Sequence, residues 1–318
     1  MKNIAVAATG CLLLAACSGS GGAGSGTGTV VAPTPTATAS PTPSPTSTYT
    51  KFADLTGDQD YPAVCNGTAV PRSASETPGT NGETYLRTGA LLYTAATQTY
   101  LFERESFGPS ERDAVLPADV FAAYTKVIGP FQTDRFTLRL ARVNGTPLDY
   151  VRFSEASQFV GMRYCAFGVR TQTADLPLVT LVYPDVAITG TAYDASSGTS
   201  VTYDLTKSTA TFRADLGTGA VQMSMHLVGS ASGLPDKDFG TLTGQAQRGL
   251  SDGSDLEKVG FMGVLDTISV NDHSSFQGGF FGPQGKEFGL VAGIQRLQSA
   301  GGATTGVFTA AVRIYGRR

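Results

Sequence analysis

Apolar and polar positions alternate with a period of two along several stretches of this chain. Between Arg135 and Arg142, the apolar Phe136, Leu138 and Leu140 fall between Arg135, Thr137 and Arg139. Successive strand side chains point to opposite faces, so this spacing predicts a half-buried strand. Asn144-Gly145 follows, and then the run from Leu148 to Phe153. An Asn-Gly pair between two such runs predicts a tight hairpin. Ala90-Leu91-Leu92-Tyr93 and Thr99-Tyr100-Leu101-Phe102 flank a polar turn and predict another. Further along, Val221, Met223, Met225 and Leu227 alternate with Gln222, Ser224 and His226. Near the end, Phe308, Ala310, Val312 and Ile314 alternate with Val307, Thr309, Ala311 and Arg313. Strand-length runs at 199–204, 209–214, 240–247, 260–269, 278–281 and 290–297 complete the series.

Short strands at even spacing, with no helical period and many glycines, predict a sandwich or a closed barrel for roughly 175–318. Closure would remove the exposed edges on which β-rich proteins aggregate. Residues 51–174 read as a second β-rich region with one exception. From Ala118 to Val127, the residues Val120, Tyr124 and Val127 share one helical face and Pro130 supplies a stop, which predicts a short helix.

The first fifty residues follow other rules. Met1-Lys2-Asn3 is a basic start, and Ile4 to Leu14 is mostly apolar and small. That stretch falls short of the ~20 residues that span a bilayer, and it matches the apolar region of a secretory signal. Leu14-Ala15-Ala16-Cys17 resembles a bacterial lipobox, which implies removal of residues 1–16 and a lipid on Cys17. The other reading is an ordinary signal with an incidental cysteine. From Ser18 to Thr50 there is no charged residue, and Pro33, Pro35, Pro41, Pro43 and Pro45 punctuate its second half. Such a segment buries no core and favours extended polyproline II, so 17–50 reads as a lipidated linker.

Charge and cysteines narrow the field further. The formal charge is −3, and −4 once Lys2 leaves with the signal. No basic patch stands out, which argues against nucleic acid as a partner. Cys11 lies in the signal and Cys17 carries the lipid, leaving Cys65 and Cys165 to pair in an oxidising compartment. Two free buried thiols are the alternative.

The segment Gly278-Gly279-Phe280-Phe281-Gly282-Pro283-Gln284-Gly285-Lys286-Glu287-Phe288-Gly289 resembles the signature of the transferrin-binding protein B β-barrel domain. Gly168 to Pro177, Ala214 to Val221 and Gly306 to Ala310 resemble its lead-in, its strand-turn and its closing strand. The four cover roughly Gly168 to Arg318 in order. Departures occur at Phe281, Gly285, Leu290 and Leu216, where the family has Tyr, Ala, Gly and Phe. The resemblance implies an all-β protein: a C-terminal eight-stranded antiparallel barrel (175–318) behind a β-rich, handle-like region (51–174). It also implies a lipid-anchored place at the outer membrane, facing either the cell surface or the periplasm. Some members capture host iron carriers or haem for an outer-membrane transporter, and others have no known ligand. Physically, Gly279, Phe280, Phe281, Gly282, Pro283, Glu287 and Gly289 read as a folding motif. Gly282-Pro283 sets a turn, and Glu287 accepts hydrogen bonds there.

Catalytic chemistry finds little support. Gly285-Lys286 fails as a phosphate loop, since Phe280 stands where a glycine must and Glu287 where a Ser or Thr should bind magnesium. His226 and His273 lack partners at metal-ligand spacing and read as exposed polar residues before haem ligands. Asp54, Asp58 and Asp60 read as a solvated turn, without a calcium-loop pattern. The expectation is a lipoprotein with no cofactor and no enzymatic activity that binds a solute or host nutrient carrier, iron and haem sources among the candidates, for an outer-membrane transporter. The alternative is a structural or adhesive surface lipoprotein with no small-molecule ligand.

Overall fold

The computed structural model describes residues 48–68, 85–102, 104–129, 132–158, 161–195, 200–249, 259–266, 273–300 and 303–318. Cys17, the signal and most of the linker lie outside them.

Eight strands make the first sheet. In chain order they are β1 (Gln59–Thr68), β2 (Tyr85–Thr94), β3 (Thr99–Phe102), β4 (Glu105–Phe107), β5 (Val120–Gly129), β6 (Gln132–Val143), β7 (Thr146–Gln158) and β8 (Gly161–Gly168). In space the order is β4-β3-β2-β1-β8-β7-β6-β5, antiparallel throughout. Both expected hairpins are present. Leu92 pairs Leu101 across β2–β3, and Val143 pairs Thr146 across β6–β7. Asn144 and Gly145 both take positive φ, at 50° and 77°, as a two-residue hairpin turn requires.

The two edges of this sheet curl toward each other. Lys126 on β5 bonds the Glu105 carboxylate on β4 at 3.0 Å, and the Phe107 and Tyr124 rings lie 6.1 Å apart. The sheet therefore wraps its own core, in which Phe102, Phe107, Phe136, Leu138 and Phe167 are buried. Cys65 and Cys165 sit directly opposite each other on β1 and β8 and form a disulfide inside that core.

The helix expected at 118–127 is instead strand β5. Val127, placed on its apolar face, is 73% exposed, while the neighbouring positions Ala122, Ala123 and Tyr124 are all buried. Bulges between Val120 and Ala122, and between Val127 and Gly129, break the two-residue period that would have marked a strand. The chain there is rich in β-branched and aromatic residues, and pairing with β6 overrides the weak local helical pattern. Among the described residues there is no α-helix, only short 3-10 turns.

The second sheet has ten strands. These are β9 (Thr180–Val182), β10 (Asp185–Asp194), β11 (Val201–Asp204), β12 (Thr209–Asp215), β13 (Ala220–Gly229), β14 (Lys237–Arg248), β15 (Gly260–Leu265), β16 (His273–Phe281), β17 (Glu287–Ala300) and β18 (Ala303–Arg317). Their order is β11-β10-β18-β17-β16-β15-β14-β13-β12-β9. Eight of them form the expected antiparallel barrel-like sheet, and the short β9 and β11 flank it. Ile188 and Ala192 of β10 share one apolar interior with Phe212 and Ala214 of β12, so the sheet folds round on itself. The predicted inward face of β13 is buried: Val221, Met223, Met225 and Leu227 all belong to this core.

On β18 both faces are buried. Phe308, Ala310, Val312 and Ile314 face the barrel core, while Thr309, Ala311 and Arg313 are also buried. The reason is the first sheet, which packs on the outside of the second. Val151 and Phe153 of β7, with Ala166 of β8, form a cluster with Val291 of β17 and Ala311 and Tyr315 of β18.

Candidate functional site

The signature segment lies at the joint between the two sheets. Phe280 points into the barrel core and Phe281 into the cluster between the sheets. Gly282 has φ 71°, and a Cβ there would lie 2.3 Å from the Tyr150 ring. Only glycine meets both demands. A Cβ on Gly289 would come within 2.6 Å of Val151. Gly279 faces more open space, with no atom closer than 3.7 Å to such a Cβ. Pro283 opens a 3-10 turn after Gly282.

Glu287 does accept backbone hydrogen bonds, but not at its own turn. They come from β7: Asp149 N–H donates at 2.6 Å, Tyr150 N–H at 2.8 Å and Val151 N–H at 3.0 Å. Burial pushes the Glu287 carboxyl above its ordinary range, and the three N–H donors pull it back. Nearby, Arg152 is buried, donates to the carbonyls of Leu148 and Val151 at 2.7 Å, and covers the Phe52 ring. Burial lowers its pKa, against the charges of Glu287 and Asp149. Asp149 pairs with Lys286 and Lys51, at 3.1 and 3.2 Å. Desolvation would raise its carboxyl, yet the two lysines hold it below its ordinary value. Tyr49, at the end of the charge-free tract, also docks here. Its hydroxyl accepts from Gln172 N–H at 2.8 Å, and its ring meets Tyr150 edge-on. This joint locks the two sheets together.

A half-open cleft of about 200 Å³ lies elsewhere, at one mouth of the first sheet. Tyr93 lies near the end of β2, Tyr100 near the start of β3 and Tyr124 on β5; all three line it, with Phe121, Gln98 and Arg112. Tyr93 and Tyr100 are cross-strand partners with ring centroids 4.7 Å apart, and Tyr100 and Tyr124 are 5.9 Å apart. Arg112 reaches the site because its backbone bridges Tyr124 on the free edge of β5. The bulge at Phe121 leaves that residue out of the β5–β6 register, and its ring meets Phe52 at 5.9 Å. Burial raises the Tyr100 and Tyr124 phenols, and pushes the adjacent Tyr61 up to about 12. All three hydroxyls keep their protons well above neutral pH. Among the described residues, the Tyr93, Tyr100 and Tyr124 hydroxyls and the Arg112 guanidinium form no hydrogen bond.

Sequence reasoning missed this cleft. Tyr93 and Tyr100 read as ordinary hairpin positions, and Tyr124 stood on an expected helix. The one available signal was aromatic density between Tyr93 and Phe136, which says nothing about Arg112. The two histidines sit apart from it. His226 shares the outer face of β13 with Gln222 and Ser224 and pairs with Asp238 at 2.9 Å, and His273 is exposed at the start of β16. Asp58 accepts from Ala95 N–H at 2.7 Å and so serves the β2–β3 turn. Among the described residues no group of three or more His, Cys, Asp or Glu is placed to hold a metal ion. No described helix is long and apolar enough to cross a membrane.

No family model and no curated protein matches the chain. Among solved structures, those of transferrin-binding protein B match part of the chain. A single-substitution variant from Haemophilus parasuis Hp5 is 15% identical, with 83% of this chain and 45% of that one covered and a TM-score of 0.42. The isotype 1 protein from serogroup B Neisseria meningitidis is also 15% identical, with 83% and 44% covered and a TM-score of 0.36. A double variant from H. parasuis is 12% identical, with 83% and 77% covered and a TM-score of 0.33. The chain thus spans less than half the length of the first two.

Proposed function

We propose that this chain is a lipid-anchored surface protein that binds a solute or host nutrient carrier and presents it to an outer-membrane transporter. The lipobox-like Leu14-Ala15-Ala16-Cys17, the charge-free linker and the signature at Gly278–Gly289 support the anchor, the display and the kind of protein. The observation that carries the binding role is the cleft of Tyr93, Tyr100, Tyr124 and Arg112. Among the described residues these polar groups have no hydrogen-bond partner, and three of the four stand on strands of the curled sheet, an arrangement that suits recognition. An iron carrier or haem is the solute class that the signature's resemblance names.

The test is capture. The full chain, anchored in lipid vesicles, is exposed to iron-loaded transferrin and separately to haem. Retention of either supports the proposal, and a Soret shift lost in His226→Ala would make that histidine the haem ligand. Retention of neither sinks the carrier reading and leaves a structural or adhesive platform. Mass spectrometry of the mature amino terminus tests the anchor, since an unmodified Cys17 would remove it.

A further inference from the structure

We infer that the cleft at the mouth of the first sheet is a binding site for a small aromatic carboxylate, one ring wide. This deepens the binding role proposed above and rests on it. The chemistry of the lining sets the ligand class. Tyr93, Tyr100, Tyr124 and Phe121 supply ring surface, and the Tyr93–Tyr100–Tyr124 rings tile continuously at 4.7 and 5.9 Å. Ring surface of this kind favours offset or edge-on contact with another planar ring.

The polar groups favour an anion. Arg112 offers only donors, and its planar fork matches a carboxylate. Three phenols and the Gln98 amide add further donors around it, and among the described residues no Asp or Glu lines the cleft. The Glu111 carboxylate, close in sequence, is already engaged by Gly108 N–H at 2.9 Å. Size then limits the ligand. About 200 Å³ is below the usual range of pockets for drug-sized molecules, which begins near ~300 Å³.

The position is also structurally sound. Below the cleft, Phe102, Phe107 and Phe136 stack at 5.3 and 4.9 Å, and the Cys65–Cys165 bridge joins β1 to β8 in the same core. The phenols therefore stand on a packed base. Burial raises the Tyr100 and Tyr124 phenols and so keeps those two available as donors.

Fluorine NMR of para-fluorobenzoate with the purified full chain tests the inference. We expect line broadening that excess unlabelled benzoate reverses. Phosphate and cyclohexanecarboxylate should compete at least about tenfold more weakly, because one lacks a ring and the other a π-face. Arg112→Gln should weaken binding by about tenfold or more, the usual loss of a charged hydrogen bond. Tyr100→Phe, which keeps the ring, should weaken it by about two- to tenfold. Lys207→Gln on the second sheet should change nothing. No broadening, equal competition by phosphate or cyclohexanecarboxylate, or an unaltered Arg112→Gln would each overturn the inference. If carrier capture succeeds while benzoate fails, the binding role stands without this ligand. The reverse result sinks the carrier and keeps the cleft.

Discussion

Glu287 illustrates how a single side chain can act far from its own segment. Its sequence context suggested a turn residue, yet its carboxylate caps three consecutive N–H groups of β7 in the other sheet. Glu287→Ala leaves those buried donors without an acceptor, and we expect a loss of about 3 kcal/mol in urea unfolding. Glu287→Gln should recover only part of it, because its amide NH₂ faces donors. Asp149, beside it, gives the pH signature. Its carboxyl is held below the ordinary value, so its stabilising effect is complete above about pH 4 and disappears as pH falls through the folded-state pKa. An acid-unfolding titration of Asp149→Asn should lack that arm, and one that superimposes on the wild type would refute the assignment.

At the scale of elements, alternation was legible wherever a strand has one wet face. β6, β13 and the hairpin at Asn144-Gly145 follow directly from residue spacing. β5 was misread because two bulges disrupt its period, and the residues of its supposed helical face include the exposed Val127. The β1–β8 pair carries the disulfide, whose loop spans 100 residues. Replacing both cysteines by serine should cost about 4 to 5 kcal/mol in the chain-entropy model. Equal unfolding midpoints with and without reductant would contradict that expectation.

For the molecule as a whole, the joint between the sheets decides behaviour. Residues Pro45–Arg318 form one compact unit, and β17 and β18 contribute side chains both to the barrel interior and to the contact with β7 and β8. Calorimetry should therefore record a single unfolding transition. Gly289→Val places atoms against Val151, and we expect it to destabilise the chain by about 1 to 3 kcal/mol. Two separate transitions in the wild type would mean that the sheets unfold independently.

The amino-acid order alone determined the mainly β class, the tight turn at Asn144-Gly145, the inward face of β13 and which two cysteines were left to pair. These rest on local periodicity or on which cysteines remain, and both are written in the chain. Which sheet covers which face, the destination of the Glu287 hydrogen bonds and the meeting of Arg112 with three tyrosines were settled only by tertiary packing. Those contacts depend on how strands pair and sheets pack, and side-chain spacing along the chain carries no information about distance across a fold.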